Sequence, residues 1–172
     1  MNRQDPRGFL GDGFVERTRA TYRSRAGISR SYPVQYVELS SPREARLALT
    51  RPLLTALVDD DEAIREAVVD LLESVGLPCI SFESAEQYLV DPRRTDVRCL
   101  ILDVNLPGMS GLELHRCIVE AHDGTPVLFL TSVDDPPVRE RAMQLGARIF
   151  FSKPVDSALL LSGIQGCLTD GC

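Results

Sequence analysis

The chain has 172 residues and a net charge of −6, a length that suits one domain with an extension rather than two full domains. A hydrophobic fraction of 44% fits a globular protein. No apolar run approaches a membrane span, and no basic-then-apolar signal segment opens the chain. The five cysteines are odd in number and form no Cys-x-x-Cys pair, so a reducing, cytoplasmic setting without disulfides or a zinc site is expected.

The charge is unevenly placed. Residues 1–52 carry ten arginines and five acids, whereas residues 53–172 carry nine basic residues and twenty acids. This split puts a boundary near Arg51 and Pro52. Residues 1–52 show no sustained periodicity and are expected to be mostly disordered, with a strand conceivable at 34–39 and a turn or two of helix at 42–49. Two readings of this extension stand side by side: an arginine-and-tyrosine arm for nucleic acid or an acidic partner, or a poorly ordered tail.

From residue 53 the pattern is regular. A short apolar strand at 53–58 leads to an amphipathic helix at 62–75, with Ile64, Val68, Leu71, Leu72 and Val75 on one stripe and Gly76 at its end. A strand at 79–82 precedes a short helix through Val90, started by the capping pair Ser84 and Gln87. A buried strand at 97–102 is followed by a helix at 112–121, a strand at 126–130, and a helix at 138–145 with Pro137 near its first turn. A fifth strand at 147–151 and a last helix at 157–168, weakened by Gly163 and Gly166, complete the pattern. Five apolar strands alternating with five helices predict an α/β, doubly wound, parallel sheet covered on both faces, with ligands at the carboxyl ends of the strands.

Those ends carry chemistry. The first strand runs into Asp59, Asp60 and Asp61, the third into Asp103, the fourth into Thr131 and the fifth into Lys153. In the flavodoxin-like strand order 2-1-3-4-5 these ends converge on one crevice. Clustered carboxylates repel and raise one another's pKa, and they select a hard cation, Mg²⁺ or alternatively Mn²⁺. Asp59, Asp60 and Asp103 with one Mg²⁺ and Lys153 sum to zero charge. Phosphorylation of Asp103 then leaves only about one excess negative charge. A carboxylate can be the nucleophile that forms an aspartyl phosphate. Lys153 is the one lysine among nineteen basic residues, which suits a position needing a compact ammonium rather than a planar fork. Each residue also has a plain reading: Asp61 as a helix cap, Asp103 as a turn residue, Thr131 as an ordinary strand-end threonine. The conjunction at four strand ends is what favours a site.

At this point the sequence resembles the receiver domain of two-component response regulators. The resemblance rests on residues 56–65, on residues 100–114 with Asp103, Pro107, Gly108, Met109, Ser110 and Gly111, on residues 127–132, and on Ser152-Lys153-Pro154. It covers residues 53–170 and none of the first 52. It implies a stand-alone receiver at 53–172, with Asp103 as phosphoacceptor from a histidine kinase or phosphotransfer protein. It further implies Asp59, Asp60, Asp103 and the backbone carbonyl of Asn105 as Mg²⁺ ligands, Thr131 as switch hydroxyl, and Lys153 as bridging cation. Phe150 falls at the switch aromatic, where a tyrosine is commoner. Signalling is then expected through a protein partner on the fourth helix, fifth strand and fifth helix, with homodimerisation on phosphorylation a further option. Enzymatic turnover of a separate substrate, DNA binding by the acidic receiver part and membrane contact are not expected.

Two departures colour this expectation. Val133 is apolar where the family tunes dephosphorylation, and Pro136 and Pro137 stiffen the start of the fourth helix, so a small switch centred on Thr131 and Phe150 is expected. Three rival classes fit the residues less well. A Mg²⁺-dependent phosphatase normally needs an acid where Asn105 stands. A fold-only binding module would not need all five site residues. A flavin protein would need a phosphate loop after the first strand.

Overall fold

The computed structural model describes residues 53–169 and two short strands before them. β1 (Arg19–Arg23) and β2 (Ser29–Pro33) pair as an antiparallel ribbon, with Arg19 opposite Pro33 and Arg23 opposite Ser29. This ribbon lies in the segment expected to be mostly disordered. The strand and helix considered at 34–39 and 42–49 fall outside the described residues.

The main unit alternates β3 (Leu54–Val58), α1 (Glu62–Ser74), β4 (Cys79–Phe82), α2 (Ala85–Val90), β5 (Val97–Leu102), α3 (Gly111–Glu120), β6 (Val127–Thr131), α4 (Pro136–Gln144), β7 (Ile149–Ser152) and α5 (Ser157–Thr169). A single 3₁₀ turn at Pro92–Asp96, not expected from the sequence, connects α2 to β5. The five strands β3 to β7 form one parallel sheet in the order β4-β3-β5-β6-β7. Counted from β3, this is the expected 2-1-3-4-5 order of a doubly wound α/β sheet.

The strands are apolar without alternation because both of their faces are covered. One core layer joins Ala56, Val58, Leu100, Leu102 and Phe129 to Tyr88, Leu114, Ile118 and Ala142 of α2, α3 and α4. The other joins Leu57, Ile101, Leu128 and Leu130 to Val68 and Leu72 of α1 and Leu160 and Ile164 of α5. Cys79, Cys99 and Cys167 form no disulfide and are buried in this second layer, and burial pushes the Cys79 thiol up to about 12. No helix among the described residues is long and apolar enough to cross a membrane.

Local signals explain the helix starts. Asp61 caps α1, its carboxylate accepting from the amides of Ala63 and Ile64. Ser84 caps α2 through the Gln87 amide, while the Gln87 side chain reaches the amide of Glu83 rather than that of Ser84. Ser110 and Glu113 close a reciprocal capping box at α3. α4 begins on Pro136 and Pro137, with no side-chain bond from its cap Asp135.

Candidate functional site

Asp59 and Asp103 leave adjacent parallel strands, β3 and β5, at the same level. The amide of Asp103 donates to the Val58 carbonyl at 2.9 Å, and the amide of Asp59 donates to the Phe82 carbonyl at 3.1 Å. The ladder thus delivers both carboxylates to one edge. Asp59 is fully buried, Asp103 is 4% exposed, and Asp60 is exposed. One oxygen from each of these three residues lies within 4.8 Å of the others.

Lys153, after β7, closes the site. Its Nζ donates to Asp59 Oδ2 at 2.5 Å and lies 3.5 Å from Asp103 Oδ2. The sequence reading expects Lys153 to face Asp103 and Thr131. In the fold its shortest contact is instead with Asp59, and its link to Thr131 is a backbone bond, the Lys153 amide donating to the Thr131 carbonyl at 2.7 Å. The Lys153–Pro154 peptide is cis. Thr131 is fully buried, and its hydroxyl accepts from the Val133 amide at 3.2 Å.

Burial raises the Asp59 carboxyl above the ordinary carboxylate range, with Asp103 adding to the rise. The hydrogen bonds from Lys153 and the Asp61 amide oppose it. Asp103 Oδ1 accepts from the Val104 amide at 2.7 Å. Three carboxylates against one ammonium leave two negative charges, and the donor set is all oxygen. Such a cluster can hold a hard divalent cation.

The loop after Asp103 is tightly held. Gly111 packs so close that a Cβ there would stand 1.9 Å from the Asp103 carbonyl oxygen. Gly108 adopts φ +75°, a region glycine favours. Glu86 of α2 accepts from the Met109 amide at 2.9 Å, which holds its carboxyl below the usual range and tethers this loop. Asn105 is exposed on the same loop, two residues past Asp103.

Phe150 is 5% exposed and sits between two groups. Its ring centroid lies 5.8 Å from that of Phe129, and Arg139 stacks over it with Cζ 4.7 Å from the centroid. Arg139 Nη1 also donates to the Phe150 carbonyl at 3.2 Å. Arg139, Glu86, Arg65 and Gly111 hold Phe150, the loop after Asp103 and the backbone of Asp59, Asp60 and Asp103, and the sequence assigns none of them a role of its own. Gly111 and Arg65 lie in stretches that carry the resemblance, Gly111 in the Pro-Gly-Met-Ser-Gly run and Arg65 at the end of 56–65, but neither stretch states what the residue touches. The three charged residues act across elements and leave no periodic trace.

A family model described as the response regulator receiver domain matches residues 55–165. The chain belongs to that family. Over 112 residues the receiver is 39% identical to the response regulator protein TodT of Pseudomonas putida, covering 65% of this chain and 49% of that protein. Over the same length it is 37% identical to the transcriptional regulatory protein FixJ of Azorhizobium caulinodans, covering 65% and 53%. The chain therefore spans about half the length of the curated relatives it matches. Its fold superposes on the BeF3-activated receiver domain of DrrB with a TM-score of 0.63 at 30% identity, covering 69% of this chain and 98% of that one. The two-component class and the fold expected from the sequence are both shown.

Proposed function

We propose that this receiver accepts a phosphoryl group on Asp103 from a histidine kinase or phosphotransfer protein and passes the signal to a protein partner. The observation that carries this reading is the position of Asp103: nearly buried at a strand end, within 4.8 Å of two further carboxylates and 3.5 Å from the Lys153 ammonium. A carboxylate oxygen of Asp103 attacks phosphorus, the P–N bond of phosphohistidine breaks, and the imidazole nitrogen keeps the electron pair and takes a proton from solvent. Asp59, Asp60, Asp103 and the Asn105 backbone carbonyl would hold Mg²⁺. The cation supplies neutralisation of charge on the transferring group. Lys153, 3.5 Å from Asp103 Oδ2, neutralises part of the remainder, and the Thr131 hydroxyl serves a phosphoryl oxygen after release from the Val133 amide. The protein does no chemistry on a separate substrate.

Output runs through the face of α4, β7 and α5, because Thr131 and Phe150 border it. Residues 53–172 form the receiver unit and residues 1–52 an arginine-rich extension. The absence of a disulfide among Cys79, Cys99, Cys117 and Cys167 fits a reducing cytoplasm. Incubation with an acyl phosphate and Mg²⁺, read by intact mass, tests the central step. One phosphoryl group should be gained by the wild type and none by Asp103→Asn. Equal labelling of the variant would disprove the assignment.

A further inference from the structure

The three acids of the cluster are not held equally. Asp59 is fixed by Lys153, by the Asp61 amide at 3.0 Å and by burial. Asp103 is fixed by the Val104 amide and faces Lys153. Asp60 is exposed, and its carboxylate has no hydrogen-bond partner among the described residues. Two neighbouring carboxylates repel it toward water. Only the backbone beneath Asp60 directs it inward.

One side chain grips that backbone. Arg65, half-buried on the first turns of α1, donates from Nη1 to the Asp59 carbonyl at 2.8 Å and to the Asp60 carbonyl at 2.9 Å. β3 ends at Val58, so the sheet offers these two carbonyls no ladder bond. A single nitrogen thus bridges consecutive peptide units and sets the course of the chain through Asp60. The Asp61 cap, fixed two residues further on, anchors the other side of the turn.

We propose that Arg65 is a positioning residue for Mg²⁺ binding: its bridge across the Asp59 and Asp60 carbonyls keeps the otherwise unheld Asp60 carboxylate in the acid cluster. This rests on the reading of that cluster as a Mg²⁺ site. The sign of its effect separates it from simple electrostatics. A guanidinium beside a cation site repels the cation, so removing its charge alone strengthens Mg²⁺ binding. Removing a positioning group weakens it, typically by about tenfold or more for partners of metal ligands.

The test is calorimetric titration of MgCl₂ into metal-free wild type, Arg65→Met, Arg65→Lys and a control, Thr125→Ala, which removes a hydrogen bond to Asp123 ahead of β6, at the other end of the sheet. Met keeps the apolar stem and removes the donors. Since both bonds come from one nitrogen, Lys should restore part of the grip. The expected result is Mg²⁺ affinity weakened about tenfold in Arg65→Met, partly recovered in Arg65→Lys and unaltered in Thr125→Ala. In metal-free Arg65→Met, the Asp61 amide should exchange faster with solvent. Unchanged or stronger Mg²⁺ binding by Arg65→Met, or equal weakening in Thr125→Ala, would overturn the role of Arg65 while leaving the site reading intact. Absence of Mg²⁺ binding by the wild type would overturn both.

Discussion

Lys153 Nζ is closer to Asp59 than to Asp103, 2.5 Å against 3.5 Å. The ammonium therefore balances the fully buried Asp59 first and faces Asp103 second. Lys153→Ala leaves Asp59 buried and unpaired. A stability loss of about 3 kcal/mol is expected, at the low end for a broken buried pair because Asp59 can take up a proton instead. Lys153→Arg should recover much of that stability, yet lower the rate of phosphorylation from an acyl phosphate, because a planar fork cannot occupy the space of a compact ammonium. Urea denaturation and timed mass spectra measure the two effects. Equal labelling rates for Lys and Arg would sink the argument.

Gly111 packs against the backbone of Asp103 itself. With a Cβ placed 1.9 Å from the Asp103 carbonyl oxygen, Gly111→Ala must displace either α3 or the end of β5. Neither is the end of a flexible side chain, so the expected cost is at least about 3 kcal/mol. Any folded fraction should also lose phosphorylation. Gly124→Ala, where nothing lies within 4 Å, tests only the strain of its positive φ and should keep phosphorylation.

His115 supplies a pH dependence. It is 3% exposed, its Nδ1 has no hydrogen-bond partner, and its ring meets Phe129 edge-on at 5.6 Å. Burial lowers its pKa below the ordinary 6.5. The unfolded chain then binds the proton more readily than the native one. Stability is complete above pH 6.5 and falls as pH drops below it toward the native pKa, with a slope of up to about 1.4 kcal/mol per pH unit. His115→Leu should remove that slope. The raised Asp59 pKa acts in the opposite direction, but it is common to both proteins and cancels in their difference. Parallel stability curves from pH 7.5 to 5 would show that His115 is not the cause.

Phe150 is clamped from both sides, by Phe129 and by Arg139. Arg139→Met removes the stacked cation and the bond to the Phe150 carbonyl, with an expected loss of about 1 kcal/mol. If the clamp restrains the switch, a beryllofluoride complex of the variant should shift the amide signals of residues 131–151 further than in the wild type. The paired prolines opening α4 confine those shifts to the neighbourhood of Thr131 and Phe150. No shift in either protein would rule out a switch in this region.

The class of fold was legible in the residues because it rests on local and repeated properties. Unbroken apolar strands such as 97–102 announce a sheet covered on both faces, and the stripe through Val68 and Leu72 announces a helix laid on it. The acids and the lysine were legible too, since a doubly wound sheet places strand ends together whatever loops join them. The remaining features depend on how the ends and faces of elements meet in space, whether five residues apart or ninety-four. That Lys153 prefers Asp59 follows from how β7 and β3 terminate in space, 94 residues apart. That Arg65 reaches two carbonyls, that Glu86 tethers the loop at Met109, and that Arg139 covers Phe150 follows from side-chain reach across packed elements. A hydrophobic pattern carries the period of an element but not the direction of a guanidinium, so these contacts appear only once the chain has folded.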